Sequence, residues 1–226
     1  MAIINRLWNL RIPRQAQYKN IYQPLFSRSL SQSVSLRTPD SNTVPKAKHD
    51  TSSTAQELRL ALRNFASSVV VITTTHPTRP QEKVGITLSS FTSVSLKPPI
   101  ISFCVKPPSR FSKTLHESNR FVVNILGTKQ IPCSRAFSTP NLPQDPFEEI
   151  SHSLCPYGNP VLDGNLVTLH CITERVLDVG DHEVWMGEVI QVENNHTTND
   201  SPLIYHDRNY ATVNDVLTLS PTEEID

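Results

Sequence analysis

Glycine is scarce in this chain: six residues in 226, at positions 85, 127, 158, 164, 180 and 187, where ordinary usage would give roughly 16. No two of them are separated by a single residue, which excludes a G-x-G dinucleotide turn and a glycine-rich P-loop. A phosphate-bearing ligand would have to be held by hydroxyls and by peptide N–H groups elsewhere. An excess of one charge is also missing. Lys plus Arg number 21 and Asp plus Glu number 21, so no whole-chain field favours nucleic acid or an anionic membrane. No apolar run approaches the roughly 20 residues that cross a bilayer, so the chain is not expected to be integral to a membrane. The four cysteines, Cys104, Cys133, Cys155 and Cys171, include no C-x-x-C pair. Structural zinc is therefore not expected, and reduced thiols in or near a core are.

Acids are absent as far as Pro39, whereas Arg6, Arg11, Arg14, Lys19, Arg28 and Arg37 all fall in that stretch. The first three are interleaved with Ile3, Ile4, Leu7, Leu10 and Ile12, a basic amphipathic pattern that reads as a mitochondrial presequence over residues 1–30, with the matrix as destination. A secretory signal would need one compact apolar stretch, which is not there, while a chloroplast address and an ordinary disordered basic tail are the alternatives that composition leaves. Over residues 27–54, 12 of 28 are Ser or Thr, too little apolar surface to order a chain, so residues 31–54 read as a linker. Loss of residues 1–30 would remove five basic side chains and no acids, leaving 16 against 21 and a net charge of −5. Folding is expected over residues 55–215, followed by a tail at 216–226.

Residues 55–64 carry Leu58 and Leu62 at helical spacing with Phe65 just beyond, and Thr54 with Glu57 has the form of a capping box. Residues 68–75 form a β-branched run that reads as a buried strand. Further strands are expected at 84–88, 100–105 and 120–126, with a helix at 109–118. Residues 166–179 and 183–192 flank Gly180 and Asp181 as a long antiparallel hairpin. Residues 138–164, with five prolines, read as loops with a short helix around Phe147. Many strands with hairpin links and few helices favour a mainly antiparallel β-barrel with helices packed outside it.

The run G-I-T-L-S-S-F-T-S-V-S over residues 85–95 has six hydroxyl residues in eleven. Following a strand, it can offer hydroxyl donors and unpaired N–H groups to an anion or to the polar edge of a heteroaromatic ring. The same residues in a plain connecting loop would satisfy their own backbone. Here the chain resembles the flavin reductase family, whose domain is an FMN-binding split β-barrel. The resemblance rests on V-V-V-I-T-T over 69–74, on G-I-T-L-S-S-F-T-S-V-S-L-K-P-P over 85–99 and on F-V-V-N-I-L over 121–126. It continues with Gln130 followed by Ala136 and Phe137, with G-D-H over 180–182 and G-E-V over 187–189, and with P-L-I-Y-H over 202–206 and Tyr210.

This resemblance implies an oxidoreductase that passes electrons from NAD(P)H to flavin, with FMN bound, or alternatively FAD. The donor leans to NADH, since no arginine cluster is present for a 2′-phosphate. Thr87, Ser89, Ser90 and Phe91 would contact the isoalloxazine and ribityl chain. The family's S-x-T stretch on the next helix corresponds to Ser109, Arg110 and Phe111, with Ser112 or Lys106 replacing the missing threonine at the phosphate. Asn124, His206 and Tyr210 complete the cofactor set. His182 would position the nicotinamide or polarise the flavin edge, and the alternative for it is a turn histidine paired with a neighbouring carboxylate. His170, His182 and His206 have no ligand spacing, so no metal is expected. Trp185 and Met186 read as core or dimer contacts. The resemblance further implies a homodimer and allows a partner oxygenase. The alternatives are a flavin-binding carrier, sensor or assembly factor without nicotinamide turnover, and another split-barrel chemistry.

Overall fold

A computed structural model describes residues 51–138, 145–195 and 200–213. These belong to the second of two compact units, His49–Asp226. The presequence at 1–30, all but the end of the linker and the tail at 216–226 lie outside the described residues.

Four α-helices and twelve strands are described. The helices are α1 (Thr51–Ala61), α2 (Arg110–Ser118), α3 (Ile131–Ser138) and α4 (Pro146–Glu149). The strands are β1 (Ser67–Ser68), β2 (Val70–His76), β3 (Arg79–Leu88), β4 (Thr92–Leu96), β5 (Pro99–Val105), β6 (Arg120–Ile125), β7 (His152–Leu154), β8 (Pro160–Leu162), β9 (Val167–Val179), β10 (His182–Asn194), β11 (Ile204–His206) and β12 (Asn209–Ala211).

Seven strands make one antiparallel sheet in the order β3-β2-β6-β9-β10-β5-β4. Laid flat, its outer strands would stand about 29 Å apart at the usual strand spacing of about 4.8 Å. Yet β3 and β4 are joined by Ser89, Ser90 and Phe91 alone, a link that spans at most about 14 Å. The sheet must therefore roll until its edges approach, and the hydroxyl-rich turn sits on that seam.

Strand alternation fills the interior. Val70 and Ile72 of β2, Ile101, Phe103 and Val105 of β5, Phe121 and Val123 of β6, and Trp185 of β10 pack into one core, which Phe111 and Leu115 of α2 also enter. The Phe103 and Phe121 rings meet edge to face at 5.2 Å, a favourable aromatic geometry. Val69, Val71, Leu126, Cys133, Phe137, Phe147 and Leu162 form a second cluster, so β2 is covered on both faces and buried along its whole length. Cys133, Cys155 and Cys171 are buried free thiols and Cys104 is a half-buried one. Burial raises the Cys133 thiol to about 11 and the Cys171 thiol to about 12.

The structure departs from the sequence reading at four places. The first helix starts at Thr51 rather than Ala55, so Thr54 lies inside it and is not the residue before its first turn. Short hydroxyl residues are tolerated in a first turn, whose N–H groups have no intrahelical partner in any case. Strand β3 starts at Arg79, not Val84, and includes Pro80; it is an edge strand, where a missing N–H costs little. The second half of the hydroxyl run is not loop but β4, paired with β5. Within 138–164, β7 and β8 pair as a hairpin, held over β2 by Thr73 Oγ1 on Pro160 O at 2.5 Å and by the Thr75 N–H on Asn159 Oδ1 at 3.0 Å.

Candidate functional site

Strand β5 ends where β10 begins, because Val105 pairs with Glu183. The residues just outside that pair therefore meet. Lys106 Nζ lies 3.0 Å from Asp181 Oδ2, and His182 Nδ1 lies 2.8 Å from Asp181 Oδ1. The hydrogen bond from His182, and then Lys106, hold the Asp181 carboxyl down at about 2. An ionised Asp181 can only accept, so Nδ1 of His182 donates and its Nε2 is left open, with the side chain 43% exposed.

The seam turn reaches the same end of the barrel. Ser90 Oγ accepts the Cys104 N–H at 3.0 Å, two residues before Lys106. Thr87 Oγ1 donates to Ser134 O at 2.7 Å, and Ser134 Oγ and Tyr210 OH are 2.9 Å apart. These bonds fasten the turn on both sides. Ser89, between them, is exposed and its hydroxyl has no partner among the described residues. Phe91 turns in and packs against the barrel core.

Helix α2 leaves from this end too. Ser109 is its N-cap, accepting the Ser112 N–H at 3.0 Å, which keeps the Ser109 O–H available as a donor. A groove of about 700 Å³ runs beside it, lined by Glu82, Pro107, Pro108, Ser109, Arg110, Ser112, Lys113 and Thr114.

The sequence-derived set thus separates. Ser89, Ser90, Lys106, Ser109 and His182 share one end of the barrel. Thr87 and Tyr210 are joined to each other through Ser134 on α3. Ser112 is buried and, although the residue lines the groove, its hydroxyl hydrogen is donated to Glu183 Oε2 at 2.7 Å and is not free for a phosphate. Asn124 is fully buried. Its amide donates to Val71 O at 3.1 Å, and its oxygen accepts from Leu162 N at 2.9 Å and from Asn165 Nδ2 at 3.0 Å. Those bonds spend it on the sheet rather than on a ligand. His206 is exposed on the β11–β12 hairpin. Trp185 is buried core, its ring stacked on Phe103 at 6.4 Å. Sequence reading passed over Glu183 and His116, which are 67 residues apart and 3.0 Å from each other.

A flavin mononucleotide offers an anion at one end and a flat ring with polar edges at the other. The donor set matches both: Lys106 and the Ser109 O–H for the anion, and the Ser89 hydroxyl and His182 Nε2 for polar edges. The residues present therefore fit that group.

The model of the flavin reductase like domain matches residues 62–214. The chain belongs to this family. Its fold is accordingly the split barrel of flavin reductases with peripheral helices. Among curated flavin reductase relatives, the reductase subunit HsaB of a flavin-dependent monooxygenase from Mycobacterium tuberculosis is 33% identical over 153 residues, 68% of this chain and 79% of that protein. An NADH:FMN oxidoreductase from Rhodococcus qingshengii is 32% identical over 158 residues, 69% of this chain and 80% of that one. Among solved structures, component B of a nitrilotriacetate monooxygenase from Mycobacterium thermoresistibile superposes with a TM-score of 0.68 at 30% identity, covering 76% of this chain and 96% of that one.

Proposed function

We propose that this flavin reductase binds FMN and passes electrons to it from reduced nicotinamide dinucleotide, with NADH as the donor, and that it supplies reduced flavin to a partner oxygenase. The observation that carries the reading is the meeting of the seam turn, with its free Ser89, and the Lys106–Asp181–His182 group at one end of a barrel of this family. The partner oxygenase is supported by relatives named as reductase subunits of monooxygenases.

When bound, the flavin accepts hydride from reduced nicotinamide, so the cofactors carry the electron chemistry and the protein supplies binding, orientation and exclusion of water. Lys106 and Ser109 would hold the phosphate, and Ser89 together with the backbone of the turn would hold the ring and ribityl chain. Ser90 acts through Cys104 by fixing the turn to β5. Asp181 orients His182 with Nε2 outward, which can then donate to or accept from a ligand edge, according to its protonation.

The reading includes a homodimer. Leu58 and Leu62 and the adjoining Phe65 are 57%, 54% and 68% exposed, an apolar helical face of the kind that a second copy covers. It also includes import into mitochondria directed by residues 1–30, supported by their basic, acid-free composition.

The test is a visible spectrum of the full chain, followed by NADH or NADPH without oxygen. A yellow protein that bleaches supports the reading. Yellow protein that neither donor bleaches favours a carrier, and a protein that takes up neither FMN nor FAD defeats the flavin assignment. Residues 1–50 fused to a fluorescent reporter test the address, and a cytosolic reporter would sink it.

A further inference from the structure

Glu183 follows His182 directly but points the other way, towards the core, and is 8% exposed. A carboxylate there is costly unless donors surround it. Three do. His116 Nε2 lies 3.0 Å from Oε1, while Ser112 Oγ at 2.7 Å and Trp185 Nε1 at 3.1 Å donate to Oε2. The His116 ring also rests against Trp185, with centroids 4.6 Å apart. Burial pushes the Glu183 carboxyl up, but the hydrogen bonds from His116, Ser112 and Trp185 outweigh it and leave the group below its ordinary value.

Two of these donors are on α2 and the third is on β10, so one carboxylate joins the helix to the strand. The helix begins at the Ser109 cap and the strand begins at His182. The joint therefore sets the distance between the two ends of the proposed ligand site. We propose that Glu183 and His116 form a positioning pair that holds α2, with Ser109 at its start, in register with His182, so that the site selects a 5′-phosphorylated flavin over the unphosphorylated one. The inference rests on the flavin reading above. A carboxylate suits this task because both oxygens accept; an amide at the same place would turn an NH2 group towards one of the donors.

Only a ligand that touches both ends feels the joint. FMN does, and riboflavin, lacking the phosphate, does not. The experiment titrates FMN and riboflavin, each by quenching of its fluorescence, into the full-length wild type, Glu183→Gln and His116→Gln, with thermal unfolding of the flavin-free proteins as a control. His116 is 49% exposed, so its replacement keeps the core and tests the pair even if Glu183→Gln folds poorly. Wild type is expected to prefer FMN. Both variants are expected to lose about tenfold in FMN affinity, the scale of one charge-assisted hydrogen bond, while riboflavin binding stays within about twofold, so the preference collapses. A preference equal to that of wild type, whether both affinities fall or neither does, overturns the pair and leaves the flavin reading standing. Wild type that binds the two flavins alike overturns it together with the role of Ser109, and wild type that binds neither overturns the flavin reading itself.

Discussion

Asp181 and His182 are neighbours in sequence and partners in space: Oδ1 of the first lies 2.8 Å from Nδ1 of the second. With Lys106 on its other oxygen, Asp181 titrates at about 2 instead of 3.8. A carboxyl lowered on folding adds stability that is present above the unfolded value and lost as pH falls through the folded one. Asp181 is therefore charged throughout pH 5–8, and the pH dependence of reduction in that window comes from other groups. Carboxyl NMR should show its midpoint near 2. His182→Ala and Lys106→Met should each raise that midpoint, because hydrogen bonds from both residues hold the carboxyl down, with the Lys106 charge adding to the second; a variant that leaves the midpoint near 2 would remove its residue from the cause.

The same pairing leaves Nε2 of His182 towards solvent, where the proposed ligand would lie. His182→Ala should cut the NADH-driven rate about 10- to 100-fold, as loss of orientation does, with FMN affinity changed less than about threefold. A stopped-flow rate at saturating flavin and a flavin titration separate the two. Loss confined to flavin affinity would move His182 into the flavin-holding set.

Thr87 and Ser89 carry similar hydroxyls with opposite employment. Thr87 is spent on Ser134 O, so Thr87→Val should lower stability by about 1 kcal/mol, read as a shift in the urea midpoint. Ser89→Ala should leave that midpoint in place and weaken FMN about fivefold, the worth of one hydrogen bond. Equal effects on both readouts in both variants would mean that the turn is not divided in this way.

Much of this arrangement was legible in the chain. Strand β2 was readable because both of its faces are buried, which demands an unbroken apolar and β-branched run. Helix α2 was expected over 109–118 and is found at Arg110–Ser118, and the β9–β10 hairpin was readable through Gly180, whose φ of +62° suits glycine in the turn. The first half of β3 was hidden by Pro80, which is permitted only because the strand is an edge. Resemblance singled out Lys106 and His182 separately, but their union through Asp181 depends on the pairing of β5 with β10. The bond from Ser112 to Glu183 was not readable, because a hydroxyl so engaged and one free for a phosphate look identical in sequence. The hydrogen bonds of Asn124 were hidden likewise: nothing local distinguishes a ligand contact from the centre of a buried network.

That network supplies a further test. Removing the Asn124 side chain strands the Leu162 N–H and one hydrogen of Asn165 in the interior. Asn124→Ala should cost about 2–4 kcal/mol in chemical unfolding, with flavin bound per folded molecule unchanged. A stable variant that fails to take up flavin would restore Asn124 to the cofactor set.

Gly85 opens the hydroxyl run for a reason of space. A Cβ built there would stand 2.6 Å from Phe137 Cδ1, since α3 packs its ring directly on β3. Gly85→Ala should destabilise by about 1–3 kcal/mol through overpacking. Pairing it with Phe137→Leu should recover most of the loss, because the smaller side chain vacates the contact. The double variant then reports whether the glycine serves packing or ligand: recovered stability with normal FMN affinity assigns it to packing, and recovered stability with weak FMN binding assigns it to the site.

The exposed face of α1 and of the 3-10 turn Leu62–Asn64 that extends it is where the proposed dimer can be tested. Its apolar spacing is the one expected from sequence, yet Leu58, Leu62 and Phe65 remain open to solvent, and an amphipathic helix gains most of its stability from covering that face. Burial of three such side chains against a second copy contributes several kcal/mol at about 1.5–3 each. Replacing Leu62 and Phe65 together by Glu puts two charges into that contact and should weaken association by about a hundredfold or more. Light scattering on the full 25.4 kDa chain should then fall from twice that mass to the single value at micromolar concentration, while the far-ultraviolet dichroism of the barrel persists. Wild type that already scatters as a single chain would remove the dimer from the reading, and would leave the apolar face to be covered by something other than this protein.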